Sequence, residues 1–382
     1  MPASPAPAAD IKAAIIVCLD FGDDQHEEGV EESVRLVESA GVTRHRVIGG
    51  KRQRPDSKFY AGVGKVAEIA KAAAEINAGS VVFNHELSPA QARNLEKELQ
   101  RRILDRTDLI LEIFAQRAQT SEGKLQVELA QLQRLSTRLV RGWTHLERQA
   151  GGFGKTGGPG EKQLELDRRY IGKRVAVLKD KLEGLKKQRD VQRKARAKRD
   201  VLSISLVGYT NAGKSTLFNA LAHAKSYEAD KLFATLDTTS RRVWIPGIRN
   251  IVLSDTVGFI RDLPDALVAA FRATLEEIED SDLLIHLVDA ANPNALAHIE
   301  SVDKILLELK FNEIPQIIVL NKTDLLDENS LMAIERHIEL DKHSECVAIS
   351  AIQPRTLRSL VEKIGEILTV PSSKFQVSSF LA

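Results

Sequence analysis

The segment Gly208-Tyr-Thr-Asn-Ala-Gly-Lys-Ser215 carries the clearest chemistry in this 382-residue chain. It matches the phosphate-binding pattern G-x-x-x-x-G-K-[ST] and lies between an apolar run, 201–207, and a helix-like stretch, 216–224. Glycines let loop N–H groups turn toward phosphate oxygens, and the positive end of the helix dipole adds to that attraction. Lys214 would reach the β- and γ-phosphates and Ser215 would bind Mg²⁺. The segment predicts a nucleoside triphosphate site, with a plain glycine turn as the alternative.

Three shorter motifs follow in order, each at the predicted carboxyl end of a strand, where ligands bind in parallel sheets. In Asp255-Thr-Val-Gly258 the aspartate can hold Mg²⁺ through water and the glycine N–H can donate to the γ-phosphate. In Asn321-Lys-Thr-Asp324 the carboxylate can pair with the N1–H and N2–H₂ of guanine, which adenine lacks. The amide of Asn321 can address the base edge, and the lysine stem can cover the ring. After the next strand, a backbone N–H of Ser350-Ala351 can meet guanine O6. Together these motifs predict GTP.

A predicted mobile segment, 224–240, separates the phosphate loop from Asp255. Such segments order around the γ-phosphate and relax after hydrolysis. A threonine here is needed to complete Mg²⁺ coordination, and we select Thr235, with Thr238 and Thr239 as alternatives. The predicted cofactor is therefore Mg²⁺, held by Ser215 and Thr235 and by Asp255 through water.

Phe259 directly follows Asp-Thr-Val-Gly, where many small GTPases carry the glutamine that orients the attacking water. Phenylalanine cannot hydrogen-bond a water molecule. Arg241, Arg242 and Arg261 are near in sequence, but none can be placed as an arginine finger from sequence alone. We expect slow hydrolysis in isolation and faster hydrolysis with a partner that orders the switch segments.

The predicted site residues fall into a catalytic group and a larger GTP-binding group. The catalytic group is Lys214, Thr235 and Gly258. The GTP-binding group is Gly208, Tyr209, Thr210, Asn211, Ala212, Gly213, Lys214, Ser215, Phe233, Ala234, Thr235, Leu236, Asp237, Asp255, Thr256, Val257, Gly258, Asn321, Lys322, Thr323, Asp324, Ser350 and Ala351.

Apolar runs alternate with helical stretches in two parts of the chain, which predicts an α/β fold with parallel sheets. In an N-terminal α/β domain, 11–106, strands are expected at 13–19, 43–48, 80–84 and 103–105, and helices at 27–40, 65–78 and 88–100. Ser88 is the expected N-cap of the last helix, with Pro89 in its first position. In a P-loop GTPase domain, 201–370, strands are expected at 201–207, 251–253, 283–288, 316–320 and 346–349. Residues 1–10 form a predicted disordered tail and 371–382 a short C-terminal tail.

Between these parts, residues 107–200 predict a long antiparallel helical hairpin with a glycine-rich tip at 151–160. Leucines recur at three- and four-residue spacing on both sides of the tip, as expected for a narrow apolar seam. The stretch 168–200 holds fourteen Lys/Arg against four Asp/Glu, a local excess of ten, whereas the whole chain has a net charge of +1. The basic run favours a polyanion-facing surface over a merely solvated helix face.

The remaining composition indicates a protein of a reducing compartment. Cys18 and Cys346 lie far apart within apolar runs, which favours buried thiols over a disulfide or a metal framework. The N-terminus resembles no signal peptide, and no apolar run approaches the length of a membrane span. We therefore expect a cytoplasmic protein and a monomer.

The chain resembles the HflX-type GTPases, within the translation-factor-related P-loop GTPases, over about residues 11–368. The resemblance rests on the guanine motifs and on further segments: Glu86-Leu-Ser-Pro89, Arg93-Asn-Leu-Glu96, Asp105-Arg-Thr-Asp-Leu-Ile110, Ile113-Phe-Ala-Gln-Arg117, Glu122-Gly-Lys-Leu-Gln-Val-Glu-Leu-Ala-Gln131, Gly158-Pro-Gly-Glu161, Gln163-Leu-Glu165 and Phe233-Ala-Thr-Leu-Asp237. The sequence departs from the family pattern at Gly158, Lys162 and Thr238.

The resemblance implies a GTPase that binds the large (50S) ribosomal subunit and the 70S ribosome through rRNA and splits stalled or idle ribosomes. The hairpin and its tip would then face rRNA, in agreement with the basic run. An RNA-binding assembly factor with GTP as a structural ligand is the alternative, and a small-molecule kinase is disfavoured by Asn321 and Asp324. Some members use ATP in the N-terminal domain; Gly62-Val-Gly-Lys65 could contact phosphate there, although a strand-to-helix turn is the preferred interpretation.

Overall fold

The computed structural model describes residues 12–22, 25–141, 159–197, 201–222, 232–233, 235–236, 238–245, 249–261, 278–342 and 346–369. The chain divides near Leu185 into two compact units. Within the described ranges, no helix is long and apolar enough to cross a membrane. Cys18 is buried and Cys346 half-buried, both as free thiols, and burial raises the pKa of each to about 11.

The first unit contains a parallel sheet with the strand order β2-β1-β3-β4, which confirms the predicted α/β fold. Its strands are β1 (Ala13–Asp20), β2 (Arg44–Lys51), β3 (Ser80–Phe83) and β4 (Arg102–Leu104). Helices α1 (His26–Ser39), α2 (Val63–Glu75) and α3 (Pro89–Leu99) connect them. As predicted, Ser88 caps α3, because its side chain accepts from Gln91 N while the Gln91 side chain accepts from Ser88 N.

The helix α4 (Arg106–Arg117) was not predicted as a separate element. Asp105 caps it with its side chain, which accepts from Asp108 N. The following helix, α5 (Ser121–Arg141), attaches to α4 through Arg134 and Arg138, which form ion pairs with Asp105 and Asp108. These contacts join the base of the helical region to the α/β part of the same unit.

The long helix α6 (Pro159–Ala197) contacts α5 along the predicted seam. Leu129 and Leu178 are buried, and Arg174 donates two hydrogen bonds to Glu128, at 2.7 and 3.0 Å. Residues 151–158 of the predicted tip lie outside the described ranges. The prediction that the whole stretch to 160 breaks the helix is wrong for its last two residues, because α6 begins at Pro159, and proline is well tolerated in the first turn of a helix.

The Gly62-Val-Gly-Lys65 segment is a turn that follows a loop and begins α2, since β2 already ends at Lys51. Gly62 has a φ of +79°, which favours glycine. Lys65 Nζ donates to Gly49 O at 2.9 Å and to Glu68 at 2.7 Å. Both contacts are local, so the lysine contributes to the packing of α2 on β2.

The second unit contains a six-stranded sheet with the order β10-β9-β8-β5-β7-β6. The strands are β5 (Ser203–Gly208), β6 (Thr239–Ile245), β7 (Arg249–Asp255), β8 (Leu283–Asp289), β9 (Gln316–Asn321) and β10 (Cys346–Ala348). The helices are α7 (Lys214–Ala222), α8 (Ala295–Glu308), α9 (Glu328–Lys342) and α10 (Leu357–Thr369). All adjacent strands are parallel except β6, which runs antiparallel to β7.

The strand β6 corrects the predicted extent of the mobile segment. Thr239 and Ser240 were assigned to that segment, but they begin β6 and pair with Asp255 and Ser254. The side chains of Val243 and Ile245 are buried, which explains why this stretch joins the sheet. The parallel strands β5, β7, β8, β9 and β10 end on one edge of the sheet, and the candidate site lies there.

Candidate functional site

The phosphate loop connects the end of β5 to the first turn of α7, as the sequence predicted. Gly208 has a φ of +146° and Gly213 a φ of +95°, so both occupy backbone conformations that favour glycine. A Cβ atom at Gly208 would clash with Leu287 O of the neighbouring strand, and one at Gly213 would clash with the Asn321 amide. The glycines therefore allow the loop to lie directly against β8 and the end of β9.

Lys214 lies inside this loop and is 6% exposed. Its ammonium group donates to Gly208 O at 3.1 Å and to Tyr209 O at 2.8 Å. Burial lowers the pKa of Lys214 to about 8, and the nearby Asp255 carboxylate opposes that shift. The site thus holds a buried cation whose charge an incoming polyphosphate would stabilise.

The three residues predicted to hold Mg²⁺ converge on one point. Ser215 Oγ and Thr235 Oγ1 are 2.9 Å apart, and they donate to Asp255 Oδ2 at 2.8 and 2.9 Å. Thr239 instead pairs with Asp255 through the β6–β7 ladder, so Thr235 is the threonine that reaches the serine. The structure brings the predicted metal residues together across 40 positions of sequence.

This triangle fits a magnesium ion. Two oxygen ligands at 2.0–2.1 Å and at right angles are separated by about 3.0 Å, close to the observed hydroxyl separation. The other carboxylate oxygen, Asp255 Oδ1, is buried without a hydrogen-bond partner, and burial raises the pKa of this carboxyl group. A cation with its coordinated water would satisfy that oxygen.

The segment after Asp255 lies directly on the phosphate loop. Thr256 Oγ1 donates to Leu206 O at 2.6 Å, and Val257 is buried. A Cβ atom at Gly258 would lie 2.8 Å from Thr210 Cα and 3.0 Å from Lys214 Nζ. Only glycine therefore lets the backbone of residue 258 come this close to Lys214.

Phe259 continues this contact through its backbone, while its side chain is 2% exposed. Phe259 N donates to Gly208 O at 3.0 Å, and Thr210 N donates to Phe259 O at 2.7 Å. The ring belongs to the packed interior and offers no polar atom. The position where many small GTPases carry a water-orienting glutamine is thus occupied by a core residue.

Asn321 ties the two halves of the site together. Its Nδ2 donates to Ala212 O at 2.8 Å, and its Oδ1 accepts from Ala351 N at 2.9 Å. The residue is 2% exposed, so both ends of the amide are used in joining the phosphate loop to the Ser350-Ala351 loop. The contacts of this amide in the structure are with Ala212 O and Ala351 N. Its direct recognition of a base stays a prediction.

The other predicted base-binding residues lie at the ends of β9 and β10. Lys322 adopts a φ of +65° and its ammonium group forms an ion pair with Asp289 at 2.6 Å. Thr323 and Asp324 form a short 3₁₀ turn, and Asp324 is exposed. Ser350 N donates to Thr356 Oγ1 at 2.9 Å. The carboxylate of Asp324 is thus accessible beside the buried Ser350-Ala351 loop, and it is suited to pairing with the edge of a base.

Among the predicted switch residues, Phe233 and Leu236 are buried and flank Thr235. Phe233 has a φ of +55°, which is uncommon for a non-glycine residue. Asn211 in the phosphate loop likewise has a φ of +64°. Ala234 and Asp237 lie outside the described ranges.

Sequence reasoning missed the side-chain contacts of Tyr209. Its ring stacks on His298 of α8, with ring centres 3.8 Å apart and planes within 3°. Its hydroxyl accepts from Arg261 N at 2.7 Å. No short-range pattern links the tyrosine to the histidine, because helix α7 and strands β6, β7 and β8 separate them in sequence.

Comparison with known proteins agrees with this geometry. Residues 27–115 match a family model described as "GTP-binding GTPase N-terminal", 117–196 one described as "GTP-binding GTPase Middle Region", and 203–322 one described as "50S ribosome-binding GTPase". The GTPase HflX of Escherichia coli (strain K12) is 49% identical over 361 residues, covering 93% of this chain and 83% of that protein. The GTPase HflX of Flavobacterium psychrophilum is 45% identical, covering 96% of this chain and 92% of that protein.

Two solved structures are similar over almost their whole length. A crystal structure of SsGBP with GDP has a TM-score of 0.56 at 27% identity and covers 94% of this chain and 98% of that chain. A GTP-binding protein from Sulfolobus solfataricus in complex with GDP has a TM-score of 0.50 at 28% identity and covers 94% and 99%. With these relatives and the guanine motifs assembled at one sheet edge, the chain belongs to the HflX family of GTPases.

Proposed function

We propose that this GTPase is a nucleotide-controlled switch that binds the large ribosomal subunit and splits or rescues stalled and idle ribosomes. The observation that carries the proposal is the Ser215–Thr235–Asp255 triangle, which joins the switch segment to the phosphate loop. A γ-phosphate with Mg²⁺ would hold these groups together, and its loss would release Thr235. The match of residues 203–322 to a model described as a 50S ribosome-binding GTPase supports the choice of partner.

The reaction is hydrolysis of GTP to GDP and phosphate. Ser215 and Thr235, and Asp255 through water, would hold Mg²⁺, which would supply charge neutralisation on the phosphates. Lys214 binds the β- and γ-phosphates as a buried cation, and Gly258 presents its backbone N–H to the γ-phosphate. Asp324 selects guanine by accepting two hydrogen bonds from the base edge.

Hydrolysis is slow without the ribosome because no side chain from position 259 can orient the attacking water. Phe259 lies in the protein interior, and its backbone is bonded to the phosphate loop on both sides. The stimulating group must therefore come from the partner or from switch residues that the partner orders. We assign that role to the large ribosomal subunit.

The surface proposed to bind rRNA is the outer face of α6. Lys173, Lys179 and Lys181 are exposed on this helix, and they belong to the basic stretch 168–200. Lysines that neutralise phosphates release counterions, so binding should weaken steeply as salt rises. Arg174 is excluded from this surface because it is paired with Glu128.

The direct test is sedimentation of 70S ribosomes with the protein and GTP, GDP or a non-hydrolysable GTP analogue. We expect separation into subunits with GTP or the analogue and intact 70S particles with GDP. Subunit separation that is the same in all three states would contradict the switch. A Lys214→Ala variant that still splits ribosomes fully would support a structural role for GTP instead.

A second experiment tests whether binding to 50S subunits depends on the α6 surface itself or only on the total positive charge of the protein. Lys173, Lys179 and Lys181 are replaced together by glutamine, and the control replaces Lys304, Lys310 and Arg336, which are exposed in the other unit. The α6 variant should bind 50S subunits less tightly, with a salt slope smaller by about one for each phosphate that is no longer neutralised. Equal weakening in both variants would argue against α6 as the rRNA-binding surface.

A further inference from the structure

The side chain of Tyr209 forms a clasp between the phosphate loop and the segment that follows Gly258. Tyr209 is the second residue of the phosphate loop, yet its side chain turns away to accept a hydrogen bond from Arg261 N. Arg261 follows Gly258 closely in the chain. The hydroxyl therefore holds the backbone just after the residue that addresses the γ-phosphate.

The backbone adds two further bonds to this clasp. Phe259 N donates to Gly208 O, Thr210 N donates to Phe259 O, and Arg261 N then donates to the tyrosine hydroxyl. Phe259 and Arg261 are thus both hydrogen-bonded to the first residues of the phosphate loop. Of these three hydrogen bonds, the one from Arg261 N is accepted by a side chain, so a single substitution of Tyr209 can remove it.

The stack on His298 explains why the hydroxyl stays at Arg261. The two rings are parallel within 3° at 3.8 Å, so rotation of the tyrosine about its side-chain bonds would break the stack. His298 is itself buried on α8. His298 therefore holds the tyrosine ring in place, and the tyrosine hydroxyl in turn holds the backbone of Arg261.

From these interactions we infer that Tyr209 is a positioning residue for GTP hydrolysis, an inference that rests on the proposed GTPase activity. The segment after Asp255 carries no water-orienting side chain at position 259, so the backbone N–H of Gly258 is the contribution considered for this segment. Gly258 N–H is useful only if that backbone keeps its place on the phosphate loop when GTP is bound. Tyr209 adds a side-chain hydrogen bond, from Arg261 N, to the two backbone bonds of Phe259 that keep it there.

The test is a Tyr209→Phe variant, which removes the hydroxyl and keeps the stack. Loss of one hydrogen bond of ordinary strength predicts a kcat lower by roughly three- to tenfold. KM for GTP and affinity for GDP should stay within about twofold, because the phosphate-loop N–H groups and Lys214 are unchanged. Both variants are compared without ribosomes. Tyr170→Phe is the matched control, since Tyr170 is exposed on α6 in the other unit, and under these conditions it should hydrolyse GTP at the wild-type rate.

A pair of substitutions at His298 tests the stack separately. His298→Ala should lower kcat in the same direction, and His298→Phe, which keeps an aromatic ring there, should restore it. Wild-type kcat in Tyr209→Phe would overturn the inference. So would a parallel loss of kcat, GDP affinity and melting temperature, because that result indicates a purely structural tyrosine. If the wild-type protein hydrolyses no GTP even with ribosomes, the proposed function fails instead.

Discussion

Replacing Asn321 by alanine should loosen both halves of the nucleotide site at once. The amide makes two hydrogen bonds, to Ala212 O at 2.8 Å and from Ala351 N at 2.9 Å, and it is almost fully buried. The substitution leaves one carbonyl and one N–H without a partner in the interior. Each of these two groups costs about 1–3 kcal/mol, so we expect a loss of roughly 2–6 kcal/mol in the free energy of unfolding.

The same change should weaken nucleotide binding, because the phosphate loop and the Ser350-Ala351 loop would no longer be held in register. We expect GDP affinity to fall by at least about tenfold, the equivalent of about 1.4 kcal/mol. Urea unfolding measures the first effect and titration with a fluorescent GDP analogue the second. Asn312→Ala, at an exposed loop position, is the control and should change neither.

Asn321→Asp separates the two hydrogen bonds. A carboxylate can still accept from Ala351 N, but it faces Ala212 O with an oxygen where the amide had a donor. We expect this variant to be no more stable than Asn321→Ala. Wild-type stability and GDP affinity in Asn321→Ala would refute the reasoning that this side chain joins the two loops.

Two further predictions concern Lys214 and Asp324. Burial lowers the pKa of Lys214 to about 8, below its unfolded value of 10.5. Between these two pH values the unfolded chain binds more protons than the folded one. The nucleotide-free protein should therefore gain stability as the pH rises from about 8 to 10.5. At about pH 9 Lys214 is then mostly deprotonated, and GDP binding should take up most of one proton. Calorimetry in two buffers of different ionisation enthalpy measures this uptake; identical heats would contradict it, and Lys214→Met should abolish it. For Asp324→Asn, turnover assays with both nucleotides should show preference moving from GTP toward xanthosine triphosphate, and unchanged preference would disprove base reading by this carboxylate.

The sequence predicted the positions of the motif residues, because these short motifs stand at strand ends. Lys214, Ser215 and Asp255 lie where the motif order placed them, because parallel strands bring their carboxyl ends to one sheet edge. Thr235 was selected among three threonines by its spacing from the serine, and the structure puts its hydroxyl in contact with Ser215.

Interactions between distant positions were not predictable in this way. The stack of Tyr209 on His298 depends on how α8 packs beside the phosphate loop, and no periodicity reports that packing. The two hydrogen bonds of Asn321 likewise depend on the approach of Ala212 and Ala351 to the same side chain, which the sequence does not indicate. Such pairings are set by the tertiary fold rather than by local pattern.

Two local signals were present but were not used. Val243 and Ile245 alternate with other residues as in a half-buried strand, although the run is short and β6 lies at the sheet edge with a single neighbour. Asp105-Arg-Thr-Asp108 is the pattern of a capping box, which marks the start of α4. The helix α4 was absorbed into the predicted hairpin, whereas only the first two residues of β6 fell within the predicted mobile segment.

The central property proposed for this GTPase is that its hydrolysis of GTP depends on the ribosome. The measurement that tests it most directly is the GTP turnover rate of the purified wild-type protein with and without 50S subunits, at fixed salt and Mg²⁺. We predict slow turnover of the protein alone and strong stimulation by 50S subunits. Turnover that is the same with and without 50S subunits would contradict the claim.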